Sequence, residues 1–151
     1  MLNTPDLSDL NAGAQVLPFQ FRIFGLRSSL YGPVATIACF EDNSRVKEAV
    51  AEPGEGRVLL IDGGGSLSKA LTGDLVAKSA MDNGWAGMVI VGAARDVEVI
   101  NTFEFCLMAL GTSPMKTEKL DRGDRGVVLI LGGVEVREGD YLAGDENGVL
   151  V

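Results

Sequence analysis

Residues 57–96 read RVLLIDGGGSLSKALTGDLVAKSAMDNGWAGMVIVGAARD. The two continuous apolar runs in this stretch, 57–61 and 87–91, each end in a glycine-containing loop, a pattern typical of strands buried on both faces. Between them a helical stretch is predicted to end near Asn83, with Gly84 as its C-terminal cap. Gly73 and Asp74 interrupt it, and Asp74 is predicted as the N-cap of its second segment because aspartate accepts hydrogen bonds from free backbone N–H groups. The order strand, helix, strand predicts a βαβ unit.

Further elements are predicted on both sides of this unit. The last third of the chain has short apolar runs separated by glycine-rich turns, which is typical of antiparallel strands. The additional elements are strands at 34–40, 105–110, 127–131, 134–136 and 148–151, and short helices at 44–51 and 96–101. The sequence therefore predicts an α/β fold over 1–151, a single domain with a βαβ centre and additional antiparallel strands.

Composition excludes several classes of function. The chain has 151 residues, of which 46% are hydrophobic and 23% charged, with a formal net charge of −8. Direct binding of nucleic acid is not expected because this charge repels phosphates, and the basic residues within 116–125 alternate with acidic ones. No apolar run approaches the roughly 20 residues of a membrane span. The first six residues have no signal-peptide character, so we expect a cytoplasmic protein.

The chain contains no histidine. This absence excludes Ser-His and Cys-His nucleophile pairs and the usual zinc and copper ligands. Cys39 and Cys106 lie in apolar runs without CxxC spacing, and we interpret them as buried thiols. A metal site in this chain would consist of oxygen ligands, which select hard cations such as magnesium, manganese or calcium.

The candidate site lies where the two buried strands end. The carboxyl ends of parallel strands meet at one edge of a sheet, and ligands bind there. A helix beginning at Gly73 and Asp74 would present free N–H groups to a carboxylate or phosphate. Arg95 offers a bidentate fork for a planar carboxylate, and Asp96 offers a hard oxygen for a divalent cation.

Each of these features also has a simpler explanation. Arg95 and Asp96 alone are more often a surface ion pair, and Gly73-Asp74 alone is most often a helix cap. The glycines at 63–65 resemble a nucleotide or S-adenosylmethionine loop but lack its spacing, and a tight turn explains them better. Turn chemistry also explains three acidic residues that could suggest calcium, Asp140, Asp145 and Glu146. The lysines lie in polar settings that do not suit Schiff-base chemistry: Lys47, Lys69, Lys78, Lys116 and Lys119.

Taken together, these segments resemble the RraA-like family, which comprises regulators of ribonuclease E activity and metal-dependent 4-hydroxy-4-methyl-2-oxoglutarate aldolases. The resemblance spans nearly the whole chain. The matching stretches are 24–28, 32–33, 39–43, 58–66, Ala70, 73–77, 84–87, 92–96, 111–114, 132–134 and 139–148. The combination is specific, although no single stretch is.

The resemblance implies a swivelling β/β/α fold and a ring-shaped homotrimer with sites near subunit boundaries. In aldolase members, the segment matching Gly73, Asp74, Leu75 and Val76 holds the pyruvoyl carboxylate of a 2-oxo acid through backbone amides. The residue matching Arg95 contacts the substrate, the one matching Asp96 binds the divalent metal (Mg²⁺ or Mn²⁺), and the one matching Asp74 supports a metal-bound water. The implied activity is release of pyruvate from 4-hydroxy-4-methyl-2-oxoglutarate, together with oxaloacetate decarboxylase activity.

The family also implies an alternative function, a catalytically silent regulator that inhibits RNA turnover by binding ribonuclease E or a helicase. The position of Asp96 need not be aspartate in regulators, so its presence here favours metal binding. Some aldolases take a further carboxylate from an extended C-terminal region of a neighbouring subunit. The chain ends at Val151, so we expect that contribution to be missing. A third family label, a menaquinone-pathway methyltransferase, is not favoured because residues 62–66 make a poor S-adenosylmethionine loop.

Overall fold

The computed structural model describes residues 2–151 and forms a curled mixed sheet with few helices. The helices are α1 (Thr4–Leu10), α2 (Ser44–Val50), α3 (Asp74–Asp82) and α4 (Val97–Ile100). The strands are β1 (Arg22–Phe24), β2 (Leu30–Ala38), β3 (Val58–Asp62), β4 (Ala70–Thr72), β5 (Gly87–Ala94), β6 (Leu107–Thr112), β7 (Asp124–Arg125), β8 (Leu129–Leu131), β9 (Val134–Val136), β10 (Tyr141–Asp145) and β11 (Gly148–Leu150).

The centre of the main sheet is parallel and its edges are antiparallel. Its strand order is β1-β6-β5-β3-β2-β10-β11, with β4 paired to β5 and β7 paired to β2. The pairs β2–β3, β3–β5 and β5–β6 are parallel, whereas β1, β10 and β11 pair antiparallel. The helices α2, α3 and α4 lie in the connections between parallel strands, as βαβ units require. The predicted fold class is therefore confirmed.

Both faces of the parallel centre are buried. Leu59 and Ile61 of β3 pack on one face in a cluster with residues of α2 and α3. Val58 and Leu60 pack on the other face, against the β8–β9 hairpin, the second sheet of the structure. These four side chains have no exposed surface because successive strand residues point to opposite faces and both faces are covered. This burial explains why the run is continuously apolar rather than alternating.

One predicted helical stretch is wrong in its first half. Residues 70–72 form β4, which pairs in parallel with the far end of β5, so the helix begins only at Asp74. Three consecutive buried residues are too few to show whether the period is that of a helix or of a strand. They form a strand because the edge of β5 at Ala93 and Ala94 is open and pairs with them. The prediction of Asp74 as N-cap is also wrong: the N-cap is Gly73, and Asp74 is the first helical residue.

Other local predictions are confirmed. Gly84 follows the end of α3 with φ +82°, and the N–H groups of Gly84 and Trp85 donate to carbonyls of the last turn. Cys39 and Cys106 are buried, and loss of solvent raises the pKa of each thiol to about 12. The nearby charges of Asp42 and Asp62 add to the shift at Cys39. No helix among residues 2–151 has the length and apolarity to cross a membrane.

The sequence patterns did not indicate four of the strands or the first helix. These elements are α1, β1, β4, β7 and β10. Most are too short for a period to be recognised, and they form through pairing with distant partners, such as β10 with β2.

Candidate functional site

The two halves of the predicted site are brought together by the pairing of β4 with β5. The backbone N–H of Arg95 donates to the carbonyl oxygen of Thr72 at 2.9 Å, so the residues that follow each strand are neighbours. Thr72 is followed by Gly73 and the start of α3, and Arg95 is followed by Asp96 and α4. The predicted site residues therefore surround one place, although β4 itself was not predicted.

The lack of a side chain at Gly73 leaves room for the close approach of a carboxylate. A β-carbon on this residue would lie 2.7 Å from Oδ2 of Asp96 and 3.5 Å from Cγ of Arg95. Its φ of −116° is accessible to every residue, so the backbone conformation does not explain the glycine. The lack of a side chain lets the Asp96 carboxylate lie against the backbone at the start of α3.

Asp96 has an uncommon backbone conformation, with φ 57° and ψ 35° in the left-handed region. Its carbonyl oxygen accepts from the N–H groups of Val99 and Ile100 at 3.0 Å, which starts α4. Its side chain makes no capping hydrogen bond and is directed toward α3, where Oδ2 accepts from the N–H of Asp74 at 3.3 Å. The carboxylate is 38% exposed and therefore available to a ligand.

Arg95 lies beside this carboxylate with most of its donors available. Its Nε is 3.9 Å from Oδ2 of Asp96, and Nη1 donates to the carbonyl oxygen of Pro114 at 3.4 Å. The side chain is 37% exposed. A guanidinium held at both ends by weak contacts retains N–H groups that can bind a planar anion.

The N-terminus of α3 supplies further donors. The first N–H groups of a helix have no partner within it, and here they belong to Asp74, Leu75 and Val76. Ala77 is the first residue whose N–H donates backward, to the carbonyl oxygen of Gly73 at 3.0 Å. Leu75 is 79% exposed, so this turn offers a ligand its backbone N–H groups and not an apolar pocket.

All six predicted site residues line a cleft of about 140 Å³. The cleft is also lined by residues that were not predicted as site residues: Asn43, Lys47, Ala70, Lys116, Thr117 and Lys119. They come from α2 and the residue before it, from β4 and from the segment that follows β6. Larger grooves of about 530 and 410 Å³ lie beside α1, but they contain none of the predicted residues and are mainly apolar.

A buried polar network forms one wall of the cleft. The side-chain amide of Asn43 donates to the carbonyl oxygen of Leu71 at 3.1 Å, and the hydroxyl of Thr117 donates to Oδ1 of Asn43 at 3.0 Å. Both side chains are almost fully buried. The network joins the turn before α2 to β4 and to the segment after β6, three parts of the chain that are distant in sequence.

Asp42 holds the segment that follows β6 at a second point, the backbone of Leu120. Its carboxylate accepts from the hydroxyl and N–H of Ser44 and, at 2.7 Å, from the N–H of Leu120. Burial favours the neutral acid, but the hydrogen bonds from Ser44, Leu120 and Arg122 outweigh it and keep the pKa of Asp42 below its usual value. The segment 115–123 is thereby fixed against α2.

The residues present fit a hydrated divalent cation rather than a closed metal site. Among residues 2–151 there is no group of three histidine, cysteine, aspartate or glutamate side chains that could hold a metal ion. Magnesium commonly uses one or two carboxylates and completes its octahedron with water and substrate oxygens. Asp96 provides one carboxylate of this kind, which lies in the cleft and is 38% exposed.

The other polar clusters have structural roles, as expected. Oδ1 of Asp62 accepts from the N–H of Gly64 at 2.9 Å, which closes the glycine triplet into a tight turn. Asp145 accepts from the N–H and hydroxyl of Thr4 and from the N–H of Asn147. Asp140 accepts from the N–H of Arg137 at 2.8 Å. Turn hydrogen bonds therefore account for Asp140, whereas Asp145 combines a turn contact to Asn147 with contacts to Thr4, 141 positions away.

Comparison with known proteins identifies similar chains over almost the full length. A family profile described as RraA-like (Aldolase/RraA) matches residues 4–151. A protein of Shewanella oneidensis, provisionally named a 4-hydroxy-4-methyl-2-oxoglutarate aldolase, is 50% identical over 148 residues, 97% of this chain and 90% of its own.

Two solved structures are similar in both fold and sequence. One is the RNA-processing inhibitor RraA from Thermus thermophilis, with a TM-score of 0.96 and 43% identity over 99% of this chain and 92% of the other. The other, from Geobacillus kaustophilus, is named an S-adenosylmethionine:2-dimethylmenaquinone methyltransferase and has a TM-score of 0.96 and 40% identity over 99% and 93% of the chains. Relatives of the same fold thus carry names from different functional classes.

Proposed function

Because the chain belongs to the RraA-like family, we propose that it is a divalent-metal-dependent aldolase that cleaves 4-hydroxy-4-methyl-2-oxoglutarate and releases pyruvate. Relatives that are 50% identical carry the name of this aldolase provisionally. The observation that carries the proposal is the approach of the Asp96 carboxylate to Gly73 beside Arg95. That arrangement combines a hard anionic ligand, a cationic fork and free helix N–H groups in one cleft.

In the proposed complex, the carboxylate of the pyruvoyl group binds the N–H groups at the start of α3. Gly73 allows the ligand to approach the backbone, and Leu75 and Val76 contribute donors from the first turn. Asp96 would hold a magnesium or manganese ion, which when bound acts as a Lewis acid on the 2-oxo group. Binding and orientation of the substrate are thus assigned to residues 73–76 and 95–96.

Cleavage breaks the bond between C3 and C4 and leaves its electron pair on the pyruvate fragment as an enolate. Arg95 stabilises the negative charge that develops on the oxygen of this fragment. The C4 hydroxyl loses its proton as its carbon becomes a carbonyl, and Asp74 orients the water that accepts this proton and returns it to C3 of the enolate, which gives pyruvate. The same stabilisation of an enolate by Arg95 would support decarboxylation of oxaloacetate, a second proposed activity.

The proposal is tested by measuring pyruvate in a coupled assay. The purified chain is expected to release pyruvate from 4-hydroxy-4-methyl-2-oxoglutarate and oxaloacetate with Mg²⁺ or Mn²⁺, and to stop when the metal is chelated. Arg95→Lys keeps the charge but loses the planar fork, so it should lower kcat/KM by about 100-fold. The matched control is Arg137→Lys, a change of an exposed arginine that does not line the cleft. If the wild type releases no pyruvate with either metal, the proposed aldolase activity is rejected.

A second candidate function is inhibition of RNA processing through binding to ribonuclease E. It is favoured by the 43% identity to the RNA-processing inhibitor from Thermus thermophilis. Its partner would be a protein, since the net charge of −8 disfavours direct binding of RNA. Retention of the ribonuclease E scaffold region by the immobilised chain, with slower RNA cleavage, would support this function. Failure of both tests at micromolar concentration would reject it.

The resemblance also leads us to propose a homotrimer. Light scattering of the purified chain measures its mass directly, and a mass of one chain would reject this part of the proposal.

A further inference from the structure

The chain contains two asparagines that are followed by glycine, in the pairs Asn83-Gly84 and Asn147-Gly148. In such a pair the backbone nitrogen of the glycine can attack the side-chain carbonyl carbon of the asparagine, because glycine has no side chain to obstruct the approach. The two pairs have the same covalent structure but lie in different surroundings. The surroundings therefore decide which of the two asparagines reacts.

Asn83 is held through both its side chain and its backbone. It is the C-cap of α3, and its Nδ2 donates to the carbonyl oxygen of Val50 at 2.8 Å. Its own N–H donates to the carbonyl oxygen of Ser79 at 3.0 Å. The nitrogen that would attack it, that of Gly84, donates to the carbonyl oxygen of Met81 at 3.2 Å. Attack would therefore require the side chain to leave Val50 and the last turn of α3 to open.

Asn147 is exposed in the turn that joins β10 to β11. Among residues 2–151, its Nδ2 makes one hydrogen bond, which goes to Oδ1 of Asp145 in the same turn at 3.3 Å. The next residue, Gly148, has a φ of +139°, and a β-carbon on it would meet no atom within 4 Å. The side chain of Asn147 is thus free to rotate toward Gly148, and the space beside that glycine is open.

The turn that contains Asn147 also anchors α1. Oδ2 of Asp145 accepts from the N–H of Thr4 at 2.8 Å, and Oδ1 accepts from the hydroxyl of Thr4 at 2.7 Å. The same Oδ1 accepts from the N–H of Asn147 at 2.8 Å. Burial favours the neutral acid, but the hydrogen bonds from Thr4 and Asn147 outweigh it and hold the pKa of Asp145 below its usual value. The attachment of α1 therefore depends on the geometry of this turn.

We propose that Asn147 is a site of spontaneous deamidation and that its modification loosens α1. The backbone nitrogen of Gly148 bonds to Cγ of Asn147 while the bond from Cγ to Nδ2 breaks. The amide group leaves as ammonia with the proton of the attacking nitrogen, and a cyclic succinimide remains. Water, the only co-reactant, then opens the ring at one or the other of its carbonyl carbons. The product has aspartate or isoaspartate at position 147.

Both products disturb the anchor of α1. Aspartate at position 147 places a carboxylate where Nδ2 now lies 3.3 Å from Oδ1 of Asp145, so an attraction is replaced by a repulsion. Isoaspartate also inserts a methylene carbon into the backbone of the turn, which disturbs the pairing of Asp145 with Gly148. A helix of seven residues is not stable alone in water, so α1 depends on contacts of this kind.

Peptide mapping by mass spectrometry measures the conversion of each asparagine during incubation of the purified chain at mildly alkaline pH. Asn147 should be converted at least about tenfold faster than Asn83, because reaction at Asn83 must first break several hydrogen bonds. In urea, where neither pair is held by the fold, the two rates should be similar. If Asn147 remains intact in the folded chain, or if Asn83 reacts as fast as Asn147 there, the inference is overturned.

Two matched variants assign the reaction to its position. Asn147→Gln keeps an amide but has a longer side chain that closes a ring far more slowly, so anion exchange should show no new acidic species. Asn83→Gln removes the other pair and should acquire the acidic species as fast as the wild type. An acidic species that still forms in Asn147→Gln, or that is lost in Asn83→Gln, would contradict the assignment.

Hydrogen exchange measures the effect on α1. Converted chains carry an additional negative charge and are separated from unconverted ones by anion exchange. The N–H groups of Thr4 and Leu7, which donate to Asp145 and to the carbonyl of Asn3, should exchange at least about fivefold faster after conversion. Asn147→Asp adds the charge without lengthening the backbone and should give a smaller increase. Unchanged exchange in α1 after conversion would overturn the proposed loosening.

Discussion

The backbone N–H of Asp74 donates to Oδ2 of Asp96 at 3.3 Å, across 22 positions of sequence. This contact joins the first residue of α3 to the residue that starts α4, and it exists because Gly73 has no side chain. A donor that offers a hydrogen bond to an anion and a carboxylate that offers oxygens to a cation are thereby held side by side. The contact is long, so both groups can still bind a ligand.

Gly73→Ala is expected to impair ligand binding without unfolding the protein. The added β-carbon would lie 2.7 Å from Oδ2 of Asp96, and the carboxylate must move away from its present position. The backbone at φ −116° accepts alanine, so the free energy of unfolding should fall by no more than about 1 kcal/mol. The affinity for Mg²⁺, measured by calorimetry, should fall by about tenfold or more.

Gly13→Ala is the matched control, because a β-carbon at Gly13 would meet no atom within 4 Å. It should leave both the stability and the Mg²⁺ affinity unchanged. An unchanged Mg²⁺ affinity in Gly73→Ala would contradict the importance of the close approach.

Asp96→Asn should abolish the binding of divalent cations and leave the fold intact. Asparagine tolerates the left-handed conformation at φ 57° as well as aspartate does, whereas alanine would add backbone strain to the loss of charge. We expect Mg²⁺ affinity to fall at least about 100-fold, since even the loss of an outer partner of a metal ligand costs up to this factor. Calorimetry measures the Mg²⁺ affinity, and circular dichroism checks that the fold is intact. Retained Mg²⁺ affinity would reject Asp96 as the metal ligand.

The hydrogen bonds between Asn43, Leu71 and Thr117 are expected to contribute strongly to stability. Asn43→Ala would leave the carbonyl of Leu71 and the hydroxyl of Thr117 buried without these partners. The free energy of unfolding, measured with urea, should fall by about 2–4 kcal/mol. Thr117→Val should cost about 1–3 kcal/mol, and the double variant less than the sum, because the two residues share one interaction.

Thr102→Val is a control for the loss of a threonine hydroxyl, since Thr102 is exposed and donates only to the nearby carbonyl of Val99. Thr102→Val should change the free energy of unfolding only slightly. Additive effects of Asn43→Ala and Thr117→Val would show that the two side chains are not coupled.

Asp42 should make the stability depend on pH in the acid range. Its pKa is lowered in the folded state, because the hydrogen bonds to its carboxylate outweigh the effect of burial. The stabilisation is therefore fully present above the unfolded-state pKa of about 3.9 and is lost as the pH falls through the lower folded-state pKa. Asp42→Asn should be less stable than the wild type at pH 7, and urea unfolding should show the difference shrinking between about pH 4 and pH 2. A difference in unfolding free energy between Asp42→Asn and the wild type that does not change with pH would contradict this prediction.

Much of the parallel centre could be predicted because its signals are local. The apolar runs at 57–61 and 87–91 are long enough to indicate buried strands, and a glycine at position 84 indicates the end of a helix. The meeting of Gly73 with Arg95 and Asp96 was also predictable in outline, since parallel strands end at one edge. The strand β4 was not predictable from three residues, because its identity depends on the open edge of β5.

The lysine side of the cleft could not be inferred from local pattern. Lys47 and Lys116 are far apart in sequence, and each stands in a polar setting that is typical of solvated surface. The buried pair Asn43 and Thr117 and the carboxylate of Asp42 bring them together. Asn43 gave no local indication of this role, because a polar residue before a helix usually indicates only a cap.

Sequence alone was sufficient for the fold class, the absence of histidine chemistry and the position of an Arg-Asp pair at the end of a buried strand, because periodicity, composition and strand order are properties of the chain itself. The tertiary structure determined the start of α3 at Gly73, the approach of the Asp96 carboxylate to that glycine and the cationic lining of the cleft. These depend on strand pairing and on hydrogen bonds between residues 22 to 78 positions apart, such as Asp74 to Asp96 and Leu120 to Asp42. Contacts of that range have no periodic signature, because they form only when separate elements pack.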